Sequence, residues 1–112
     1  MARNFVQPGE TITLPAPRVL ASGDGFMVGA IMAVALAAAA QGAPVEGRRV
    51  GVFDVAKATG QAWIAGQKVY WDATANVATT TAGSNALIGA ATQAQASAAA
   101  IGRVLLTGQI AA

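Results

Sequence analysis

The sequence Val50-Gly51-Val52-Phe53-Asp54-Val55-Ala56-Lys57-Ala58-Thr59-Gly60-Gln61-Ala62-Trp63-Ile64-Ala65-Gly66-Gln67-Lys68-Val69-Tyr70-Trp71-Asp72-Ala73 decides how the rest of this chain is read. It contains both tryptophans, the one tyrosine, both lysines and two of the five acidic residues. Alternation places Val50 and Val52 on one face and Phe53 and Val55 on the other, and two apolar faces predict a buried strand. Thr59-Gly60-Gln61 and Ala65-Gly66-Gln67 carry turn chemistry, because glycine takes positive φ at little cost. Ala62, Trp63 and Ile64 have room only for a short segment between these turns. Lys68 to Asp72 is then a β-rich run with Val69 and Trp71 facing one way and Tyr70 the other. The stretch reads as a strand, a compact crossover and a second strand.

Working outward, Val45 to Arg49 leads into this centre from a turn at Gln41-Gly42, which predicts a hairpin there. Phe26 to Ala40 is fifteen residues without a charge. That is short of the roughly 20 that span a bilayer, and basic flanks are missing. Alanine content favours a helix, whereas Val28-Gly29 followed by Ile31, Ala33 and Ala35 in alternating register suits a buried strand. A faint echo between Val28-Gly29-Ala30 and Ile88-Gly89-Ala90 inclines the segment towards strand. Ser22-Gly23-Asp24-Gly25 is a turn signal. Before it, Glu10 to Leu14 alternates polar and apolar residues, and Pro15 and Pro17 stop that strand or confine it to an edge.

Met1 to Gln7 reads as an arm closed by Pro8-Gly9. Arg3 is followed by Asn4, Phe5, Val6 and Gln7, which is not the apolar core of a secretory signal, so synthesis without export is expected. On the C-terminal side, Thr74 to Asn76 is turn-like, Val77 to Thr81 is a strand and Ala82 to Asn85 a turn. Leu87 to Ala91 and Ile101 to Leu106 are the last two strands, joined by a soft linker from Gln93 to Ala100. Short β-rich runs punctuated by glycine predict an all-β chain, a small β-barrel or jelly-roll-like sandwich. Residues 1–9 form a flexible N-terminal arm and residues 10–112 a single β domain.

Composition narrows the function. The 112 residues are 54% hydrophobic but only 5% aromatic, so alanine supplies much of the apolar share. At about 25 cal/mol per Å² buried, small side chains contribute little each, and self-association is expected to add stability. Charged residues are 11%, against about 25% in ordinary soluble domains. A net charge of +2 does not make the clustered basic face that nucleic acid requires, and Arg48-Arg49 reads as a solvated strand position. With no cysteine and no histidine, the chain lacks a thiol nucleophile, the commonest metal ligand and the usual neutral-pH base.

The catalytic templates fail in turn. Ser22, Ser84 and Ser97 have no histidine partner, no Gly-Lys pair begins a phosphate loop, and Gly23-Asp24-Gly25 lacks the third glycine of a dinucleotide fingerprint. Asp54 and Asp72 could form an acid/base pair across neighbouring strands, but Lys57 and Lys68 make surface ion pairing the simpler reading. Trp63, Tyr70 and Trp71 could form a stacking platform, with Arg48, Arg49, Lys57 and Lys68 as a phosphate track. That alternative describes a small nucleic-acid-binding β-barrel, and it requires those four cations to form one patch. Core packing is the simpler role for the aromatics. The chain is expected to need no cofactor or metal.

The order of Gly51-Val52-Phe53, Lys57-Ala58-Thr59-Gly60, Gly66-Gln67-Lys68-Val69-Tyr70-Trp71-Asp72, Thr79-Thr80-Thr81 and Ile88-Gly89-Ala90-Ala91 resembles the small phage capsid cement or decoration proteins grouped as the DUF2190 family. Phe5-Val6-Gln7-Pro8-Gly9 and Arg103-Val104-Leu105-Leu106-Thr107-Gly108 are similar too, so the resemblance covers nearly the whole chain. The alanine-rich 35–40 departs from it. The resemblance implies a compact β fold on the outer surface of an assembled phage head, clamping major capsid protein subunits. It also implies a homo-oligomer, a trimer at local three-fold positions before a dimer, with no nucleic acid or membrane as partner, formed in the host cytoplasm and carried in the virion. Some relatives carry a recombinase label, which the missing phosphate loop does not support here. Arg3, Phe5, Val6 and Pro8 of the arm are the candidate contacts to a neighbouring subunit or the capsid, with Phe5 and Val6 as apolar anchors. A plain edge strand or a frayed terminus accounts for the same residues equally well.

Overall fold

A computed structural model describes residues 9–83 and 85–108. The fold is all-β, with no helix among those residues. Four strands form the first sheet: β1 (Thr11–Pro15), β2 (Gly25–Val28), β3 (Ile31–Ala35) and β4 (Pro44–Arg48), in the order β1-β4-β3-β2. Five more form the second: β5 (Val50–Ala56), β6 (Lys68–Asp72), β7 (Val77–Thr79), β8 (Ala86–Ala91) and β9 (Ile101–Thr107), in the order β5-β9-β8-β6-β7. Every ladder is antiparallel. The second sheet curls until its outer strands meet, where Lys57, just past β5, bridges Ala78 in β7. The expectation of a small barrel or sandwich holds, with a curled five-stranded sheet packed on a four-stranded one.

The uncharged segment resolves into a hairpin rather than a helix or one strand. β2 and β3 pair with Val28 opposite Ile31, and Gly29 takes φ 59°, as the first position of a two-residue hairpin turn requires. β3 is buried on both faces. Met32 and Val34 join the core inside the curled sheet, while Ala33 and Ala35 join a second cluster with Ala16, Leu20, Phe26 and Val45. This double burial is why the segment carries neither charge nor clean alternation. The strand ends at Ala35, and the remaining alanines belong to the β3–β4 connection. There Ala39 exchanges backbone hydrogen bonds of 2.9 Å with Leu20, so two loops roof the second cluster.

Pro15 ends β1, and β1 is an edge strand, as its prolines predicted. The hairpin predicted around Gln41-Gly42 forms between β3 and β4, on a wider connection than a tight turn. β7 stops at Thr79 rather than Thr81 because the Gln61 carboxamide oxygen accepts from both the Thr79 hydroxyl and the Thr80 N–H. The linker expected to be soft is tied down. Gln95 bridges Trp63, and the carbonyls of Ser97 and Ala100 accept from Gly60 and Lys57.

The buried strand predicted at Val50 is a strand but lies at the sheet's edge, with Val52 54% exposed. Only the Phe53 and Val55 face turns inward. Two tryptophans fill the curled sheet, and bare backbone receives them. A Cβ on Gly102 would stand 2.3 Å from the Trp63 ring, and one on Gly25 2.8 Å from Trp71. Gly25 begins β2, so Trp71 packs against both sheets.

Candidate functional site

Arg49 is the one residue between β4 and β5, where the chain leaves one sheet for the other. Its Nη1 donates to the Gly9 carbonyl at 2.6 Å, its Nη2 donates to the Gly108 carbonyl, and its backbone N–H donates to Glu10 at 2.7 Å. A single half-buried guanidinium therefore holds both ends of the described chain at one pole. This corrects the reading of Arg48-Arg49 as a solvated pair. Arg48 is exposed, with its Nε on the Val50 carbonyl at 3.1 Å and Glu10 at 3.9 Å, but Arg49 is structural. Sequence could not show this, because Gly9 and Gly108 lie 40 and 59 residues from Arg49. The candidate contacts Arg3, Phe5, Val6 and Pro8 lie outside the described residues, just upstream of this pole.

The four cations of the phosphate track are not brought together. Lys57 is buried, its Nζ donating to the carbonyls of Ala58 at 2.9 Å and Ala99 at 3.3 Å, and it sits 5.5 Å from the Trp63 ring centre. Arg49 is committed to the terminal carbonyls, while Arg48 and Lys68 are exposed on different sheets. Trp63 and Trp71 are 1% and 2% exposed, so neither offers a ring for stacking.

The two central carboxylates are each engaged by other partners. Asp54 faces Arg103 directly across the β5–β9 ladder, accepting from Nε at 2.9 Å and Nη2 at 3.1 Å. These hydrogen bonds, with the guanidinium charge behind them, hold the Asp54 carboxyl below the ordinary carboxylate value. The expected lysine pairing of Asp54 gives way to the residue that the register sets opposite it. Asp72 accepts from the N–H groups of Thr74 and Ala75 at 2.9 and 3.1 Å and closes the β6–β7 turn. Among the described residues no group of three or more carboxylates gathers to hold a metal.

A shallow cavity of about 460 Å³ opens between the sheets, lined by Arg18, Asp24, Asp54 and Trp71 among others. Most of the hydrogen-bonding of Arg18 and Asp24 is spent within the fold, although the buried Arg18 Nε has no partner among the described residues. Arg18 Nη2 donates to the Gly25 carbonyl at 2.7 Å, with Asp24 3.6 Å from Nη1, and Asp24 accepts from the Ala21 N–H at 2.9 Å. What the arrangement offers is surface for contact. Among the described residues, the large hydrophobics exposed on strands, Val52, Ile101 and Leu105, all lie on the outer side of β5 and β9.

The profile of the family described as phage cement protein matches residues 6–106, and the chain belongs to that family. No curated protein and no solved structure matches it.

Proposed function

We propose that this chain is a structural virion protein that binds the outer surface of a phage head and stabilises contacts between major capsid protein subunits. The family match over residues 6–106 is the observation that carries this reading, since a cement protein family has a structural, capsid-stabilising role. The low charge and the absence of cysteine and histidine support a contact protein rather than an enzyme. A cement protein acts through many repeated weak contacts, which the lattice multiplies into firm attachment. Residues 1–9 serve as an arm on a β domain of 10–112, and Arg3, Phe5, Val6 and Pro8 reach a neighbouring subunit or the shell from the pole held by Arg49. The chain acts as a homo-oligomer, a trimer at local three-fold positions.

The test is to mix purified protein with bare heads of its cognate phage. The protein is expected to sediment with the heads and to raise the temperature at which they disrupt. Heads that sediment without it, and that disrupt at an unchanged temperature, would overturn the proposal.

A further inference from the structure

The β5–β9 side of the curled sheet has a pattern that chance exposure does not explain. Register aligns Val52, Leu105, Ala90 and Lys68 side by side across β5, β9, β8 and β6. One step along lies the Asp54–Arg103 pair, and one step further the Ala56–Ile101 pair. Val52 is 54% exposed, Ile101 52% and Leu105 39%; the other large exposed aliphatics among the described residues, Val19, Leu36 and Ile64, all lie outside strands. Over β5 and β9 the face is thus two apolar pairs, Val52–Leu105 and Ala56–Ile101, with one bidentate ion pair between them, half exposed at 50% and 45%, and Lys68 closes the first row on β6.

We infer that this face is the contact between copies of the chain, the β5 side of one copy lying against the β9 side of the next. The inference rests on the self-association proposed above and names its surface. Charge complementarity selects the occupant. The negative group stands on β5 and the positive group on β9, so the face carries both halves of what it recognises, as a contact between identical subunits requires. Arg103 has five N–H donors and uses two on Asp54, leaving the others to meet the carboxylate of a neighbour. The aliphatic rows on either side exclude water from that contact, an apolar patch centred on a few paired polar groups.

The experiment measures solution mass by light scattering over a concentration series for wild type, Leu105→Glu, Asp54→Arg, Arg103→Asp and an equimolar mixture of the last two. Wild type is expected to associate, and each variant to associate roughly tenfold or more weakly, because each change sets an unmatched charge in the contact. The mixture is expected to regain mass as mixed pairs, since the guanidinium that Asp54→Arg supplies on one chain then meets the carboxylate that Arg103→Asp supplies on the other. A ring of three cannot alternate the two variants, so recovery stops short of a trimer. Circular dichroism of each variant separates loss of association from loss of fold, and recovery in the mixture can come only from folded chains. Variants that keep the wild-type mass, a mixture that stays dissociated, or a wild type that is monomeric throughout would each overturn the inference. Head binding by wild type is scored separately. Association without head binding would sink the capsid reading alone, while head binding with unchanged variant masses would sink this surface alone.

Discussion

The two hydrophobic clusters of this protein are built from the same alanine-rich sequence by opposite means. Inside the curled sheet, strands surround a core of Trp63, Trp71, Val69, Val104 and Leu106, with the two tryptophans seated against Gly102 and Gly25. On the far face of the four-stranded sheet, Leu20, Phe26 and Val45 lie with alanines under a roof of two loops joined through Leu20 and Ala39. A strand-walled core cannot relax when a large side chain is removed, because its walls are hydrogen-bonded to one another. A loop roof can settle onto the gap. Cavity cost depends on that ability to collapse, so the two clusters should respond differently to comparable damage.

Trp71→Ala tests the contrast most severely. It removes the side chain that meets both sheets and is expected to cost about 3–5 kcal/mol in denaturant unfolding; a loss under about 1 kcal/mol would break the contrast. Leu106→Ala inside the curled sheet should cost about 4 kcal/mol, whereas Leu20→Ala, which removes the same atoms under the roof, should cost about 2 kcal/mol, the low end for a buried leucine. Equal losses would mean that the roof is as rigid as the barrel. Between the clusters, Arg49→Ala unties both chain ends from the junction of the sheets. It should cost about 1–2 kcal/mol and speed hydrogen exchange of the Arg49 amide, which is bonded to Glu10, while leaving exchange at the centre of β9 unchanged.

The smallest effect belongs to the outer ion pair. The Asp54 carboxyl is held below its ordinary value in the fold, so folding favours the ionised form. Its contribution is therefore complete above the ordinary carboxylate value of 3.8 and is lost as pH falls through the lowered folded value. Melting temperatures of wild type and Asp54→Asn should differ slightly at pH 7 and converge in that acid range. A gap that widens towards low pH would reverse the sign of this account.

Much of the fold was legible because it depends on local chemistry. The alternation of Lys68 to Asp72, the prolines after Leu14 and the glycine turns at 60 and 66 all behave as their residue types dictate. The errors have a common cause. Val50 to Val55 looked buried on both faces, and whether a strand is central or at an edge is set by its partners. Phe26 to Ala35 was ambiguous because its second apolar face answers to a roof contributed from elsewhere in the chain. Of the candidate site, the tryptophans as core were legible, since few other large side chains were available, whereas Tyr70 is half-buried and outside both clusters. The engagement of Asp54 by Arg103 was not, since it is a matter of register across 49 residues.

By itself the sequence determined the all-β class, the positions of most strands and turns, and the family. These follow from residue chemistry and from motif order along the chain. Only the tertiary structure decided which strands are edges, that Arg49 joins Gly9 to Gly108, that Lys57 is buried over Trp63, and that Val52, Asp54, Ile101, Arg103 and Leu105 share one uncovered face. Each of those depends on bringing distant segments into one register, and pairing across such separations is fixed by the packing of the whole molecule.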